Sequence, residues 1–330
     1  MSTPKPILAG DVGGTKTLLG LFAPAPGRPR PLEVREFSTL AYPDLETLTA
    51  DFASAGAMRG IKVDVACLGV AGPVIDGKAE LTNVPWHVDG GGVSRALGIN
   101  RVVLLNDLQA MACSLPALED RELHVLQAGR PTPNGNMAIL AAGTGLGESL
   151  LHRTDGRLVP VPSEGGHADF AARTEREVVL LRDLIRRYGR ASVEHVVSGP
   201  GLTNLHRVTH TRPCTALPPG AEEGPGAPAA ISAAALERRC PGCVEALDMF
   251  VEAYGAEAGN HALRTVATSG LFIGGGIAPK ILPALTDGRF MRAFLTKNPL
   301  EELLANVPVK VITNAEVGLL GAAVFAASLG

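Results

Sequence analysis

The chain has 330 residues, with 30 Lys and Arg against 33 Asp and Glu, for a formal charge of −3. Its basic residues are scattered, so the electrostatic footprint of a nucleic-acid binder or an acidic-membrane binder is missing. Hydrophobic residues make up 46% of the chain but aromatic ones only 4%; a large core, expected to be split over two domains, must be built from Ala, Val, Leu and Ile. No run of about 18 apolar residues occurs, and the opening MSTPKPILAGD lacks a signal-peptide pattern. Five cysteines, an odd number, suit a reducing compartment better than a disulfide framework. A soluble, cytoplasmic protein is the expectation.

The first strand-like run is ILAG (7–10), which leads into Asp11 and the turn Val12-Gly13-Gly14-Thr15. G-D-V-G-G-T-K-T is one residue short of a phosphate-binding P-loop, because Thr15 stands where a glycine should precede Lys16. A P-loop also continues as a helix, whereas Leu18-Leu19-Gly20-Leu21-Phe22 is a β-like apolar run. The segment reads as a hairpin. Either it is a plain tight turn, or its glycine N–H groups approach an anion while Asp11 holds Mg²⁺, directly or through water.

The next strand is VACLGVAG (65–72), followed by LTNVPWHVDG (81–90). There Trp86 reads as packing, and Asn83 has the chemistry to bond a hydroxyl. RVVLLND (101–107) carries Asn106 and Asp107 at its end. Asp107 is either a partly buried general base or the N-cap of the helix LQAMACSL (108–115). AILAAGTG (138–145) opens a second glycine turn, Gly143-Thr144-Gly145-Leu146-Gly147, and the chain then continues as the strand-like ESLLH. A dinucleotide fingerprint needs a helix at that point, so a Rossmann site is rejected. LAGDVGGTKTLLGLF (8–22) and LAAGTGLGESLLH (140–152) share one design of strand, Gly/Thr turn and strand. The echo suggests a duplicated fold with a cleft between its halves.

PSEGGHADF (162–170) sets Glu164 and His167 three residues apart, a pairing suited to neighbouring sugar hydroxyls. As a metal site it would offer only two ligands, with no cysteine between 168 and 213; a solvated loop is the plain alternative. TEREVVLLRDLIRRYG (174–189) and VEALDMFVEAYGAEAGNHALRTVA (244–267) have helical spacing. Residues 212–230 are rich in Pro and Gly and read as a surface loop, with Ser232 as N-cap of a following helix. Cys240-Pro-Gly-Cys243 has C-x-x-C spacing but no second pair nearby, and is taken as structural or incidental. The last strand is LFIGGG (271–276). Strands alternating with helical stretches make an α/β architecture. Its chemistry is expected beyond the strand ends, at Asp11, Asn106-Asp107 and the turns at 143–147 and 274–276.

GDVGGT (10–15), LTNxxW (81–86), NDLxA (106–110), GTGLG (143–147), EGGH (164–167), SGPGL (198–202) and FIGGGIAPK (272–280) occur in this order. Together, over residues 7 to 323, they resemble the bacterial glucokinase family of the hexokinase/actin-like superfamily. That resemblance implies a two-domain, ribonuclease H-like α/β fold with a ligand cleft between the domains. A small domain of residues 1–115 plus 314–330 would face a large domain of residues 116–313. NAEVGLLGAAVFA (314–326) would be a helix returning to the N-terminal domain and forming part of the hinge.

The implied activity is transfer of the γ-phosphoryl group of ATP to the 6-hydroxyl of glucose, with ATP and Mg²⁺ required and a homodimer as the assembly. Gly10, Asp11, Val12, Gly13, Gly14 and Thr15 would form the first phosphate motif, with Asp11 on Mg²⁺. Gly143, Thr144 and Gly145 would form the second, and Gly275 and Gly276 would lie against the adenosine. Asp107 matches the catalytic base. Asn83, Asn106, Glu164, His167 and Glu194 match sugar-hydroxyl ligands. The position after GGT is often Asn in relatives and is Lys16 here, which either reaches the phosphates or points away. The zinc-binding cysteines that follow the histidine in the broader repressor/kinase group are missing, and no helix-turn-helix precedes residue 7. Other readings are a kinase of another hexose such as mannose, a non-catalytic sugar or nucleotide sensor, and an actin-like assembly module.

Overall fold

Strands and helices alternate through the residues described by the computed structural model, which are 5–81, 84–218 and 220–329. Two units emerge: Met1–Asp120 with Arg157–Pro162 and Asn314–Gly330, and Arg121–Gly156 with Ser163–Thr313. The first unit runs β1 (Ile7–Val12), β2 (Lys16–Ala23), β3 (Arg30–Ser38), α1 (Leu45–Ser54), β4 (Val65–Val70), β5 (Val74–Ile75), β6 (Lys78–Glu80), β7 (His87–Asp89), α2 (Gly90–Leu97), β8 (Arg101–Asn106) and α3 (Asp107–Ser114). The second runs β9 (Leu123–Gln127), β10 (Met137–Ala142) and β11 (Leu146–Thr154). After β12 (Arg157–Ser163), most of which belongs to the first unit, come α4 (Glu175–Tyr188), α5 (Gly199–Thr209), α6 (Ala227–Leu236) and α7 (Pro241–Thr265). β13 (Gly270–Gly274), α8 (Leu282–Leu285), α9 (Arg289–Leu295), α10 (Glu301–Ala305) and β14 (Val309–Ile312) complete it, and α11 (Val317–Ser328) returns to the first unit.

The first sheet has the order β3-β2-β1-β4-β8. β1 is antiparallel to β2 and parallel to β4, and β4 is parallel to β8. The central strands are buried almost end to end, as their unbroken apolar runs require in a sheet covered on both faces. Trp86 is buried in the core of this unit, so packing is its role. In the second unit the order is β11-β10-β13-β14-β9. β10 is antiparallel to β11 and parallel to β13, which is parallel to β14. The strand–turn–strand echo in the sequence is thus one supersecondary unit used twice, each time with a parallel strand on its far side.

Glycines at helix crossings set how close the layers come. α11 packs on α3, β1 and β4. A Cβ on Gly321 of α11 would lie 1.7 Å from the Ala110 carbonyl oxygen of α3, and one on Gly69 of β4 would lie 2.8 Å from Ala110 Cβ. α3 is therefore held between β4 and α11 at backbone contact distance. In the second unit, α9 lies on α7 at Gly255 and Gly259 in the same way, 2.2 and 2.6 Å from the Phe290 and Phe294 carbonyl oxygens by the same measure. Here buried Tyr254 meets Phe250 and Phe290 edge-on and reaches the backbone of β10 and β13 with its hydroxyl. One expectation fails. Ser232 is not an N-cap; it lies inside α6, which starts at Ala227 with Pro228 in its first turn, and its hydroxyl bonds back to Ala229. Proline's fixed φ starts the helix earlier than the serine signal suggested.

Gly321→Ala separates packing from helix propensity. Propensity alone would stabilise the variant by about 1 kcal/mol. The backbone approach predicts a net loss of about 2–3 kcal/mol in chemical denaturation.

Candidate active site

The turn joining β1 to β2 closes with Gly13 N–H donating to the Lys16 carbonyl at 3.0 Å. Thr39 pins it from outside: its hydroxyl donates to the Gly13 carbonyl at 2.8 Å, and its N–H donates to the Thr15 carbonyl at 3.0 Å. Among the described residues Gly10, Gly13 and Gly14 have no positive φ. Close approach is what Gly10 and Gly13 serve, since a Cβ would meet Leu68 at 2.6 Å from Gly10 and the Lys16 carbonyl at 2.9 Å from Gly13. Val12 is buried, while Gly14 is partly buried and Thr15 exposed. Lys16 opens β2 and pairs with Glu36 across to β3 at 3.1 Å, on the exposed surface.

Asp11 lies at the end of β1 against the first turn of α11, where a Cβ on Gly318 would come 2.6 Å from its carboxylate. Burial pushes the Asp11 carboxyl up to about 6, with the Lys16 charge pulling it back. An oxygen donor at a strand end fits Mg²⁺.

Asn106, not Asp107, is the N-cap of α3. Its Oδ1 accepts from Leu108 N–H at 3.0 Å, Gln109 Oε1 accepts from Asn106 N–H at 3.1 Å, and Asn106 Nδ2 donates to the Gly72 carbonyl at 3.1 Å. The Asn106 oxygen also accepts from the Gln109 N–H, so the capping box leaves Asn106 one amide hydrogen for other contacts. Asp107 is the first helical residue, partly buried, with Oδ1 accepting from Leu108 N–H at 2.9 Å. Its negative charge is favoured at a helix N-terminus. The register aligns Val12 with Val70 and Val70 with Asn106. Asp11 is therefore level with Leu105 across β4, and Asp107 follows two residues beyond that level, at the start of α3.

In the second unit Glu194 joins two motifs. Its Oε2 accepts from Leu146 N–H at 2.8 Å, inside the second glycine turn, and a Cβ on Gly145 would collide with that carboxylate at 2.5 Å. Its Oε1 lies 3.8 Å from His167 Nδ1, and Glu164 Oε2 lies 3.9 Å from His167 Nε2. Glu164, His167 and Glu194 therefore form one cluster. Both glycines of EGGH are steric necessities: a Cβ would come 2.2 Å from Glu148 Oε2 at Gly165 and 2.0 Å from the Leu146 carbonyl at Gly166. Glu148 is itself buried and paired with His261 at 3.2 Å; burial raises its carboxyl, but the hydrogen bond and charge of His261, together with Arg264 and Glu257, hold it below its ordinary value. Asn83 lies outside the described residues.

The second turn also opens a pocket of about 590 Å³ within this unit. Gly143 and Thr144 line it with Gly199 and Pro200 at the start of α5, Asn204 and Arg207 further along, Pro228 and Ser232 of α6, and Ile277 and Lys280 after β13. Ser198 caps α5 by accepting from Gly201 N–H at 3.0 Å, and Gly199 N–H donates to the Gly143 carbonyl at 2.8 Å, so turn and helix start are tied together. Gly275 and Gly276 do not line the pocket. Gly275 turns the chain at φ 83°, where a Cβ would meet the Ala142 carbonyl at 2.3 Å, and this delivers Ile277 to the wall. Sequence reasoning missed Asn204, Arg207 and Lys280. The Ser198–Pro200 helix start was the available signal for the first two.

The raised Asp11 value means that folding takes up a proton between about pH 4 and 6, so this group's contribution to stability falls as pH rises through that window. In metal-free buffer, Asp11→Asn should gain on the wild type by on the order of 2 kcal/mol between pH 4.5 and 7 in urea denaturation. A gap independent of pH would contradict the burial of the charge.

The family model described as Glucokinase matches residues 8–329. A glucokinase of Synechocystis sp. is 40% identical over 97% of this chain and 97% of its own length. The crystal structure of a glucokinase from an Antarctic psychrotroph superposes with a TM-score of 0.86 at 31% identity, covering 98% of this chain and 99% of that one. A Streptomyces griseus ROK family glucokinase in complex with glucose and AMPPNP shares the fold, with a TM-score of 0.64 at 21% identity over 98% of this chain and 100% of that one. The α/β architecture is thus the two-domain hexokinase/actin-like one, and the chain belongs to the glucokinase family.

Proposed function

We propose that this chain is an ATP-dependent glucokinase, transferring the γ-phosphoryl group of ATP to the 6-hydroxyl of glucose to give glucose 6-phosphate and ADP. The observation that carries the reading is the division of labour at the end of β8. Asn106 supplies the helix cap, and the neighbouring Asp107 carboxylate opens α3 just beyond β8, two residues past the position level with Asp11 two strands away.

In this reading Asp107 accepts the proton of the 6-hydroxyl as that oxygen attacks phosphorus. Glu164, His167 and Glu194 bond the remaining hydroxyls, and Asn106 and Asn83 add to them. Rejecting a sugar that lacks a hydroxyl then follows from leaving such groups unpaired. The pocket at Gly143 and Thr144 has the volume for a nucleoside, and the N-terminus of α5 favours phosphate beside it. The amides of Gly10–Thr15 and of Gly143–Gly145 receive phosphate oxygens. Asp11 would hold Mg²⁺, which when bound neutralises charge on the phosphates. Phosphoryl transfer depends mainly on positioning and electrostatics, so no covalent role is required of the chain.

Lys16 does not enter this scheme directly, since its ammonium is engaged with Glu36. Cytoplasmic placement and a homodimer belong to the same reading; no helix among the described residues is long and apolar enough to cross a membrane. A sensor on this fold would need the hydroxyl ligands but not a base, and an assembly module would need neither.

Coupled detection of ADP release with glucose as acceptor tests the activity. Asp107→Asn should lower turnover by ~10²-fold or more, while glucose binding by calorimetry is largely kept. An Asn variant with wild-type turnover would remove Asp107 from its role.

A further inference from the structure

Phosphoryl transfer leaves the cysteines unused, yet three of the five meet two histidines at one place in the second unit. His206 lies in the last turn of α5 and His210 follows it; Cys214 is in the next loop, and Cys240 and Cys243 flank the start of α7. The ligand atoms of His206, His210, Cys214 and Cys243 all lie within 4.8 Å of one another. Cys214 Sγ and Cys243 Sγ are 3.7 Å apart, and His210 Nε2 is 4.0 Å from Cys243 Sγ. In a tetrahedron with Zn–S bonds of about 2.3 Å and Zn–N of about 2.0 Å, S···S is about 3.8 Å and N···S about 3.5 Å. The donors already stand near the edge lengths of a zinc tetrahedron.

Three further details point the same way. His206 Nε2 is buried and has no hydrogen-bond partner, a costly arrangement unless something occupies its lone pair. His210 Nδ1 lies 2.9 Å from the His206 carbonyl and 3.1 Å from the Thr209 hydroxyl. Donation from Nδ1–H to the carbonyl orients the ring and turns Nε2 to the thiols, as outer partners of metal-bound histidines do. Gly242, between the two cysteines, is where a Cβ would strike the His210 ring at 2.6 Å. The C-P-G-C turn therefore makes room for an imidazole.

We propose that His206, His210, Cys214 and Cys243 form a structural zinc site that ties the C-terminal end of α5 to the first turn of α7. Two thiolates and two neutral imidazoles balance the charge of Zn²⁺, and binding releases the two thiol protons to solvent. Cys240, whose sulfur lies 3.2 Å from His210 Nε2, borders the site without belonging to the four. The site holds together the helix that bears Asn204 and Arg207, one wall of the 590 Å³ pocket. It shares no residue with the segment after His167.

The test uses the full chain, reduced and freed of metal, titrated with Co²⁺ and then Zn²⁺. One Co²⁺ per chain with tetrahedral d–d bands, thiolate charge transfer matching two sulfurs and displacement by Zn²⁺ would support the site. Cys214→Ser and Cys243→Ser should each weaken Zn²⁺ binding at least ~10-fold, and Cys240→Ser should leave the Co²⁺ spectrum in place. Circular dichroism establishes that each variant is folded, and Zn²⁺ should raise the melting temperature of the wild type but not that of Cys214→Ser/Cys243→Ser. Absence of uptake, an octahedral spectrum, binding unaffected by Cys214→Ser and Cys243→Ser, or loss of binding in a folded Cys240→Ser would each overturn the assignment. So would thiol titration showing Cys214 and Cys243 joined as a disulfide in the protein as purified.

Discussion

The parallel register of β1, β4 and β8 is the constraint on which the rest of the first unit depends. It brings Val12, Val70 and Asn106 level, so Asp11, just before the end of β1, and Asp107, just after the end of β8, lie near the C-terminal ends of two strands on either side of β4. Small residues then fix the depth. Gly69 and Gly321 admit α3 at backbone contact, and Gly318 admits the carboxylate of Asp11 against α11. A side chain at any of these positions would have to move the helix that begins with Asp107, or the carboxylate proposed to hold the metal. The glycines here are instruments of distance and not of unusual φ.

The second unit repeats the hairpin but uses it differently. Where the first ends in an acid, the second has the exposed Thr144, and the nearby carboxylate comes from elsewhere in the chain as Glu194. That carboxylate holds Leu146 N–H in the turn with one oxygen and approaches His167 with the other. One side chain thus couples the proposed phosphate turn to the proposed sugar ligands, and a disturbance of either would be felt by both. Buried Glu148, paired with His261 behind Gly165, supports the same cluster from the β11 side.

Much of this was legible because it is local. Apolar runs ending in glycine or acid became β1, β4, β8, β10 and β13, and the failure of both glycine turns to continue as helices excluded P-loop and Rossmann sites. Asn106 and Asp107 could not be separated in advance, because either can cap a helix; the reciprocal bond from Gln109 decided between them. Gly275, expected beside the adenosine, also turns the chain at positive φ close to the Ala142 carbonyl, which the sequence did not announce. The histidine and cysteine cluster escaped notice because its parts are 29 residues apart, from Cys214 to Cys243, and the loop and helix between them have no metal signature. Lys280 became visible only once β13 and its turn delivered it to the pocket.

The most direct measurement of the central claim is a crystal structure of the chain with glucose and AMPPNP bound. The account predicts an Asp107 carboxylate oxygen within hydrogen-bond reach of the glucose 6-oxygen, about 2.6–3.2 Å, with that oxygen facing the γ-phosphoryl group. Asp107 turned away from the sugar, with another side chain holding the 6-hydroxyl, would contradict it.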